Sequence, residues 1–376
     1  MIKVSRPLSQ ANSAIAGRSP PEEVENDVEI APQAIVSWGW LRRFERRHSE
    51  RIKSVRARKL EVARAAVTPT SVEQFFSTLT QLYSTHHFDS RLVANFDESM
   101  VESGTRMTKF FVPRDLAYGC ITLDDKALHI TMASTVFADG SALDPLIILP
   151  QKQLPPDLQE ELAEECCWVG QENGWMTTSI FEQYVDRVFI PEIELRRRAH
   201  CLETSRALLL LDGHASRNNM ALMLRLQTAR VDVVTFASHA SHLMQPLDRG
   251  VFRAFKASLA SGNAAIRNAS RPEKRRRLLA KVVASWRTAT TKSIIKAAFA
   301  ASGICDPPNS AAVLQDSALR RSPIEASAPG TTKKRSGINI NNRVLTSDEA
   351  IEEMRIAKVK KEEDEQKRGK KRKRQK

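Results

Sequence analysis

Three aspartates stand where the chain passes from apolar to polar, and their setting suggests a chemistry. Asp212 ends the run Leu208-Leu209-Leu210-Leu211 and is followed by Gly213-His214. Asp97 ends Arg91-Leu92-Val93-Ala94-Asn95-Phe96 and is followed by Glu98-Ser99. Asp248 follows His242-Leu243-Met244-Gln245-Pro246-Leu247, just past a proline that suits the first turn of a helix. Magnesium takes oxygen ligands in octahedral geometry and keeps several waters. Carboxylates from separate elements can hold one or two such ions. A pair of ions roughly 3.5–4 Å apart can activate an attacking oxygen and stabilise a leaving one in phosphoryl transfer. The expectation is two ions, Mg²⁺ or Mn²⁺, with Asp97 bridging them from a central strand. Asp212 and Asp248 would each close one ion site, so that all three are metal ligands and catalytic groups.

The other acids fit less well. Glu98 adjoins Asp97, so on a strand it points to the opposite face. Asp124, Asp125, Asp139 and Asp144 are expected to form turns. His214 and His242 flank two of the aspartates and are candidate substrate contacts, although a satisfied structural histidine is the better reading of each. No H-E-x-x-H occurs, which excludes that class of zinc peptidase. The cysteines (Cys120, Cys166, Cys167, Cys201 and Cys305) contain no C-x-x-C unit and suggest neither a zinc ribbon nor a disulfide framework.

Several elements must position the aspartates. Leu208 to Leu211 read as a strand buried on both faces. Before it come a strand ending at Asp97, a hairpin or meander around 127–137, a turn at Ala138-Asp139-Gly140 and a strand over Pro145–Pro150. A helix follows, opened by a capping box of Ser179 and Glu182. After Asp212 come a short helix from Asn218 to Gln227, a strand from Val231 to Phe236, and a helix from Leu247 to Leu259 carrying Asp248. This β-β-β-α-β-α-β-α order predicts an α/β chain of ribonuclease-H-like fold, a mixed sheet flanked by helices.

The flanks differ in composition. Residues 1–32 read as a disordered arm. Residues 33–87 are expected to form a small all-α helix-turn-helix segment and a linking helix. Arg42, Arg43, Arg46, Arg47, Lys53, Arg56, Arg58 and Lys59 would be its DNA contacts. Its linking helix shows a Ser71/Gln74 capping box before Val72, Phe75, Phe76 and Leu79 at helical spacing. The main domain is placed at 88–310, a linker at 311–345, and a charged helix with a basic tail at 346–376. That helix would open at a capping box of Thr346 and Glu349. Lys370, Lys371, Arg372, Lys373 and Arg374 suit nuclear import or phosphate binding, so a nuclear location is expected. A net charge of +14 favours a polyanionic partner. No apolar run approaches the roughly 18 residues of a membrane span.

At these residues the chain resembles the pogo/jerky branch of the mariner superfamily of transposases, which carry a DDE-type nuclease domain, here with three Asp. The resemblance rests on Asn95-Phe96-Asp97-Glu98-Ser99, Ala138-Asp139-Gly140 with Pro145-Leu146-Ile147, and Gly174-Trp175-Met176. It continues through Leu211-Asp212-Gly213-His214 and the stretch from Ser241 to Phe252, of which Gln245-Pro246-Leu247-Asp248 is most specific. Ala298-Phe299, Ser302-Gly303-Ile304 and Pro307 resemble the family's closing segment, and Trp40 to Arg47 resembles a centromere-protein-B-type helix-turn-helix. The resemblance implies binding of double-stranded DNA at transposon ends, metal-dependent strand cleavage by water, and strand transfer by the freed 3′ hydroxyl. It carries the metal roles onto Asp97, Asp212 and Asp248, and leaves a homodimer open. The family usually has a further N-terminal helix-turn-helix, for which the stretch before residue 36 is too short and polar. A truncated or domesticated copy is therefore also expected. The alternatives are a catalytically idle DNA-binding or chromatin protein of transposon origin, and a ribonuclease acting on RNA–DNA hybrids.

Overall fold

The computed structural model describes residues 38–50, 67–102, 129–150, 166–213, 219–260, 271–315 and 342–374. The chain divides into two units, Met1–Leu60 and Glu61–Lys376. The described part of the first unit is helix α1 (Trp38–Arg47) and the turn after it. Trp40 stacks on Phe44 with centroids 5.0 Å apart, and Phe44 in turn meets His48. These rings are four residues apart, which helical periodicity brings to one side. Arg42, Arg43, Arg46 and Arg47 are exposed. Lys53, Arg56, Arg58 and Lys59 lie outside the described residues.

The second unit is built on a six-stranded sheet. Its strands are β1 (Val93–Glu102), β2 (His129–Phe137), β3 (Leu146–Pro150), β4 (Cys167–Gln171), β5 (Ala207–Leu211) and β6 (Val231–Thr235), in the spatial order β4-β3-β2-β1-β5-β6. β1 to β3 form an antiparallel meander, while β5 and β6 continue parallel to β1. An antiparallel meander extended through its first strand by parallel strands, with helices on both faces, is the ribonuclease-H-like architecture. β4, which runs parallel to β3 at the sheet edge, is an addition to the expected order. Its sequence Cys-Trp-Val-Gly-Gln is half-buried throughout and lacks the alternation that marks a strand.

Period-two alternation divides the core in two. One sheet face carries Val93, Val101, Ile130, Met132, Val136, Leu208 and Leu210. Helices α2 (Pro69–Thr85), α7 (Phe252–Ala260), α8 (Arg271–Ala289) and α9 (Lys292–Ala301) supply its cover. The other face carries Ala94, Phe96, Ala133, Phe137, Leu209 and Leu211. Helices α3 (Thr178–Tyr184), α4 (Ile190–Ala199) and α5 (Met220–Thr228) supply its cover.

Helix starts differ from the expected capping boxes for local reasons. α2 is capped by Thr68, whose hydroxyl accepts the Ser71 N–H at 3.2 Å, because Pro69 fixes the first turn. α3 is capped by Thr177, which accepts the Ile180 N–H at 3.3 Å, and Glu182 instead receives the Asn219 amide. The Asp139-Gly140 turn is as expected: Asp139 Oδ1 accepts the Ser141 N–H at 2.9 Å, and Gly140 has φ +95°.

Two flanking stretches pack into the sheet unit. α2 was expected to link two domains, yet Val72, Phe75, Phe76 and Leu79 are buried, and Phe75 meets Phe236 at 5.4 Å. The stretch 311–345 was expected to be a linker. Its described ends are packed: Val313 in α10 (Ala311–Leu314) is buried, and the 343–346 segment lies along the edge of β6. Leu345 N–H donates to Val233 O at 2.8 Å, and Val233 N–H donates to the Thr346 hydroxyl at 3.0 Å. That hydroxyl is therefore not the cap of α11 (Asp348–Arg374); Ser347 accepts the Ala350 N–H at 3.2 Å instead. Residues 370–374 fall in the last turns of α11. Among the described residues no helix is long and apolar enough to cross a membrane.

If α2 is an integral wall of the core, Phe75→Ala should lower unfolding free energy by about 3–5 kcal/mol in urea denaturation. A loss under about 1 kcal/mol would mark α2 as peripheral.

Candidate active site

β1 and β5 run parallel with Val93, Ala94 and Asn95 opposite Leu208, Leu209 and Leu210. Two residues beyond the last pair are Asp97 on β1 and Asp212, the residue after β5 ends. Alternation puts Asp97 on the face of Val93 and Asn95, and Asp212 on the face of Leu208 and Leu210. That is one and the same face, the one covered by α2, α7, α8 and α9. The β1–β5 ladder ends at Asn95 and Leu210, so Asp97 and Asp212 follow it at the same end of two neighbouring strands. Asp97 is 9 % exposed and Asp212 half-buried.

Asp248 comes to this end of the sheet on a different element. Short helix α6 (Ser241–Met244) leads through Gln245-Pro246 into a single π-helical turn, Leu247–Val251, which runs on into α7. The side chain of Asn95 fixes the start of that turn. Asn95 is fully buried, its Oδ1 accepts the Leu247 N–H at 3.0 Å, and its Nδ2 donates to Leu210 O at 3.1 Å. Only one orientation of the amide satisfies both partners, since Leu247 N–H can only donate and Leu210 O can only accept. The N–H at the start of a helix lacks an intrahelical acceptor, and here a side chain from β1 supplies one. One amide therefore joins three segments: the residue two before Asp97, a carbonyl two before Asp212, and an N–H one before Asp248. Asp248 itself is exposed.

The strand ends thus bring Asp97 and Asp212 to one face, and the Asn95 contact brings the Asp248 turn against it. Among the described residues, however, no group of three His, Cys, Asp or Glu side chains is gathered closely enough to hold a metal ion. The closed three-carboxylate ligand set expected from the sequence is not formed there. Carboxylates at ligand spacing repel one another unless positive charge lies between them.

Around Asp97 the face carries further polar groups. Ser134 lies directly opposite Asp97 in the β1–β2 pair, and Ser99 lies two residues along β1. Both hydroxyls are buried and lack a hydrogen-bond partner. Gln245 is fully buried as well, and neither its side-chain oxygen nor its nitrogen is paired. Buried polar groups are rarely left unsatisfied. Hydroxyls beside a carboxylate suit a hydrated cation, whose retained waters need partners. Carboxylate and hydroxyl oxygens are donors of the kind that Mg²⁺ or Mn²⁺ and their waters take.

Of the candidate histidines, His242 has its Nδ1 3.0 Å from His239 O, so one ring nitrogen is used within its own loop. His214 lies outside the described residues. The sequence pattern assigns no role to Asn95, Ser99, Ser134 or Gln245. The available signal for Asn95 was its place in an apolar strand, two residues from Asp97 and hence on the same face.

A family model described as DDE superfamily endonuclease matches residues 127–299. Residues 127–299 are thus similar to that endonuclease family. Asp212 and Asp248 lie inside the matched stretch, and Asp97 precedes it. A Mus musculus pogo transposable element with KRAB domain is 24% identical over 292 residues, covering 73% of this chain and 45% of the relative. A Homo sapiens Jerky protein homolog is 25% identical over 235 residues, covering 61% of this chain and 39% of the relative. The chain thus spans less than half the length of either. A solved Mos1 mariner paired-end complex with Mg aligns over 71% of both chains at 13% identity, with a TM-score of 0.44.

The carboxylate placement has a thermal signature. Without divalent cations, Asp212→Asn should leave the melting temperature unchanged or raise it, because a like charge beside Asp97 is removed. Mn²⁺ should raise the melting temperature of the wild type but not of this variant. An equal Mn²⁺ shift in both would place the cation elsewhere.

Proposed function

We propose that the chain is a DNA endonuclease and transposase of the pogo type, working at Asp97, Asp212 and Asp248. The observation that supports this reading is the register of β1 and β5, which carries Asp97 and Asp212 to the same end of neighbouring strands, together with the Asn95 contact to Leu247, next to Asp248. In this reading Asp97, Asp212 and Asp248 would hold divalent cations, Mg²⁺ or Mn²⁺. Bound there, such cations would supply Lewis acidity at a scissile phosphate. The chain's own groups do the rest. Asp97, on a central strand buried on both sides, fixes the reaction centre against the sheet. The Ser99 and Ser134 hydroxyls orient water at the inner side of Asp97. Arg253 and Lys256, exposed on α7 just beyond Asp248, take phosphates flanking the cut.

Double-stranded DNA is the substrate in this reading. The exposed Arg42, Arg43, Arg46 and Arg47 of α1 contribute to its binding, with Lys53, Arg56, Arg58 and Lys59 assigned the same role from sequence. The basic run Lys370, Lys371, Arg372, Lys373 and Arg374 directs the chain to the nucleus. A second reading, an idle DNA-binding protein of transposon origin, is favoured by the carboxylates standing ungathered among the described residues.

Nicking of a plasmid bearing the element's terminal repeats separates the two. With Mg²⁺ or Mn²⁺ the wild type should nick it, and Asp97→Asn and Asp212→Asn should lose more than about 100-fold in rate while still binding DNA. Binding should weaken with salt by a log–log slope of about −0.9 for each phosphate contacted. A wild type that binds but never nicks would establish the idle reading.

A further inference from the structure

We infer that Asn95 is the positioning residue of this site, setting the spacing of the Asp212 and Asp248 segments about Asp97. The inference rests on the metal-site reading above and adds to it a residue that touches neither cation nor substrate. Its basis is two hydrogen bonds of one buried side chain. Nδ2 holds Leu210 O at 3.1 Å, and Oδ1 holds Leu247 N–H at 3.0 Å. Each partner lies within two residues of a candidate ligand, and Asn95 lies two from the third. A planar amide is the side chain that donates on one edge and accepts on the other at this reach. Aspartate keeps the acceptor for Leu247 and loses the donor for Leu210. Leucine has similar shape and loses both. Glutamine is one methylene too long for a site with no exposure.

A merely structural role would cost stability wherever it sat. A second buried hydrogen bond, from Val233 N–H to the Thr346 hydroxyl at the β6 edge, provides the comparison. It belongs to the same unit but joins no segment that carries a candidate ligand.

The test is calorimetric titration of Mn²⁺ alone into the full chain and its variants. Wild type should bind Mn²⁺ in a way that Asp212→Asn abolishes. Asn95→Leu should weaken binding about 10- to 100-fold, the usual effect of losing a partner that orients metal ligands. Thr346→Val should melt earlier and bind Mn²⁺ as wild type does. Asn95→Asp decides the matter if Asn95→Leu does not fold. Its added negative charge alone would tighten Mn²⁺, whereas loss of the Leu210 contact should weaken it. Wild-type affinity in both Asn95 variants would overturn the inference and leave the site reading standing. Equal losses in Thr346→Val and Asn95→Leu would overturn it too, as a stability effect. A wild type with no Asp212-dependent Mn²⁺ binding would remove the site reading, and the inference with it.

Discussion

The carboxamide of Asn95 bonds to backbone from two other segments, and the placement of the acidic residues depends on it. Each of its hydrogen bonds contributes on the order of 1 kcal/mol net. Leaving either buried partner unsatisfied costs more, about 1–3 kcal/mol. The interaction is local to the sheet yet non-local in sequence: Leu210 and Leu247 lie 115 and 152 residues beyond Asn95. Burial makes it selective, because no water can replace either partner. The β1–β5 register carries Asp97 and Asp212 to the same end of neighbouring strands. Asp248, borne on a helix start, needs a tether, and Asn95 supplies it.

The sheet gives that tether something rigid to act against. β1 has neighbours on both sides and buried layers on both faces, so Asp97 has little freedom. Its level in the sheet is fixed on one side by pairing with Ser134 and on the other by the Leu210 register. The same face places the unpaired hydroxyls of Ser99 and Ser134 around it, an unusual concentration of unmet hydrogen-bonding capacity in an otherwise apolar layer. At the far edge, the 343–346 segment satisfies backbone groups that an open β6 would expose. At the opposite end of the sheet from the carboxylates, Arg197 is wholly buried and donates to the carbonyls of Ser205, Ala229 and Arg230. That guanidinium anchors the starts of β5 and β6, so both ends of the parallel pair are held by side-chain contacts to backbone.

Much of this could be read from the residues themselves. Leu208 to Leu211 announced a strand buried on two faces, and an acid at its tip announced a site. Pro246 before Leu247-Asp248 announced a helix start. What escaped reading has physical causes. β4 is an edge strand with a glycine and partly exposed faces, so it carries no period. Ser71 looked like a cap, but Pro69 shifted the helix start to Thr68. The segment around Val344 and Leu345 is bound by backbone pairing to a sheet edge, which composition cannot encode. Asn95 carries no legible role in the sequence, because its partners are brought near only by the fold. The residue pattern makes Asp248 the counterpart of Asp212, each closing one ion site. Asp248 is borne on an exposed turn, and how far a carboxylate stands from its neighbours depends on charge balance that a residue pattern does not carry.

The central claim is that three carboxylates from distant parts of the chain serve one cation site on a single sheet face. Anomalous scattering from crystals grown with Mn²⁺ tests it most directly. The account predicts Mn²⁺ density between Asp97 and Asp212, with Asp248 drawn in from its turn and Asn95 still bonded to Leu247. Ordered Mn²⁺ away from Asp97, with the Asp97 and Asp212 carboxylates turned from each other, would contradict it.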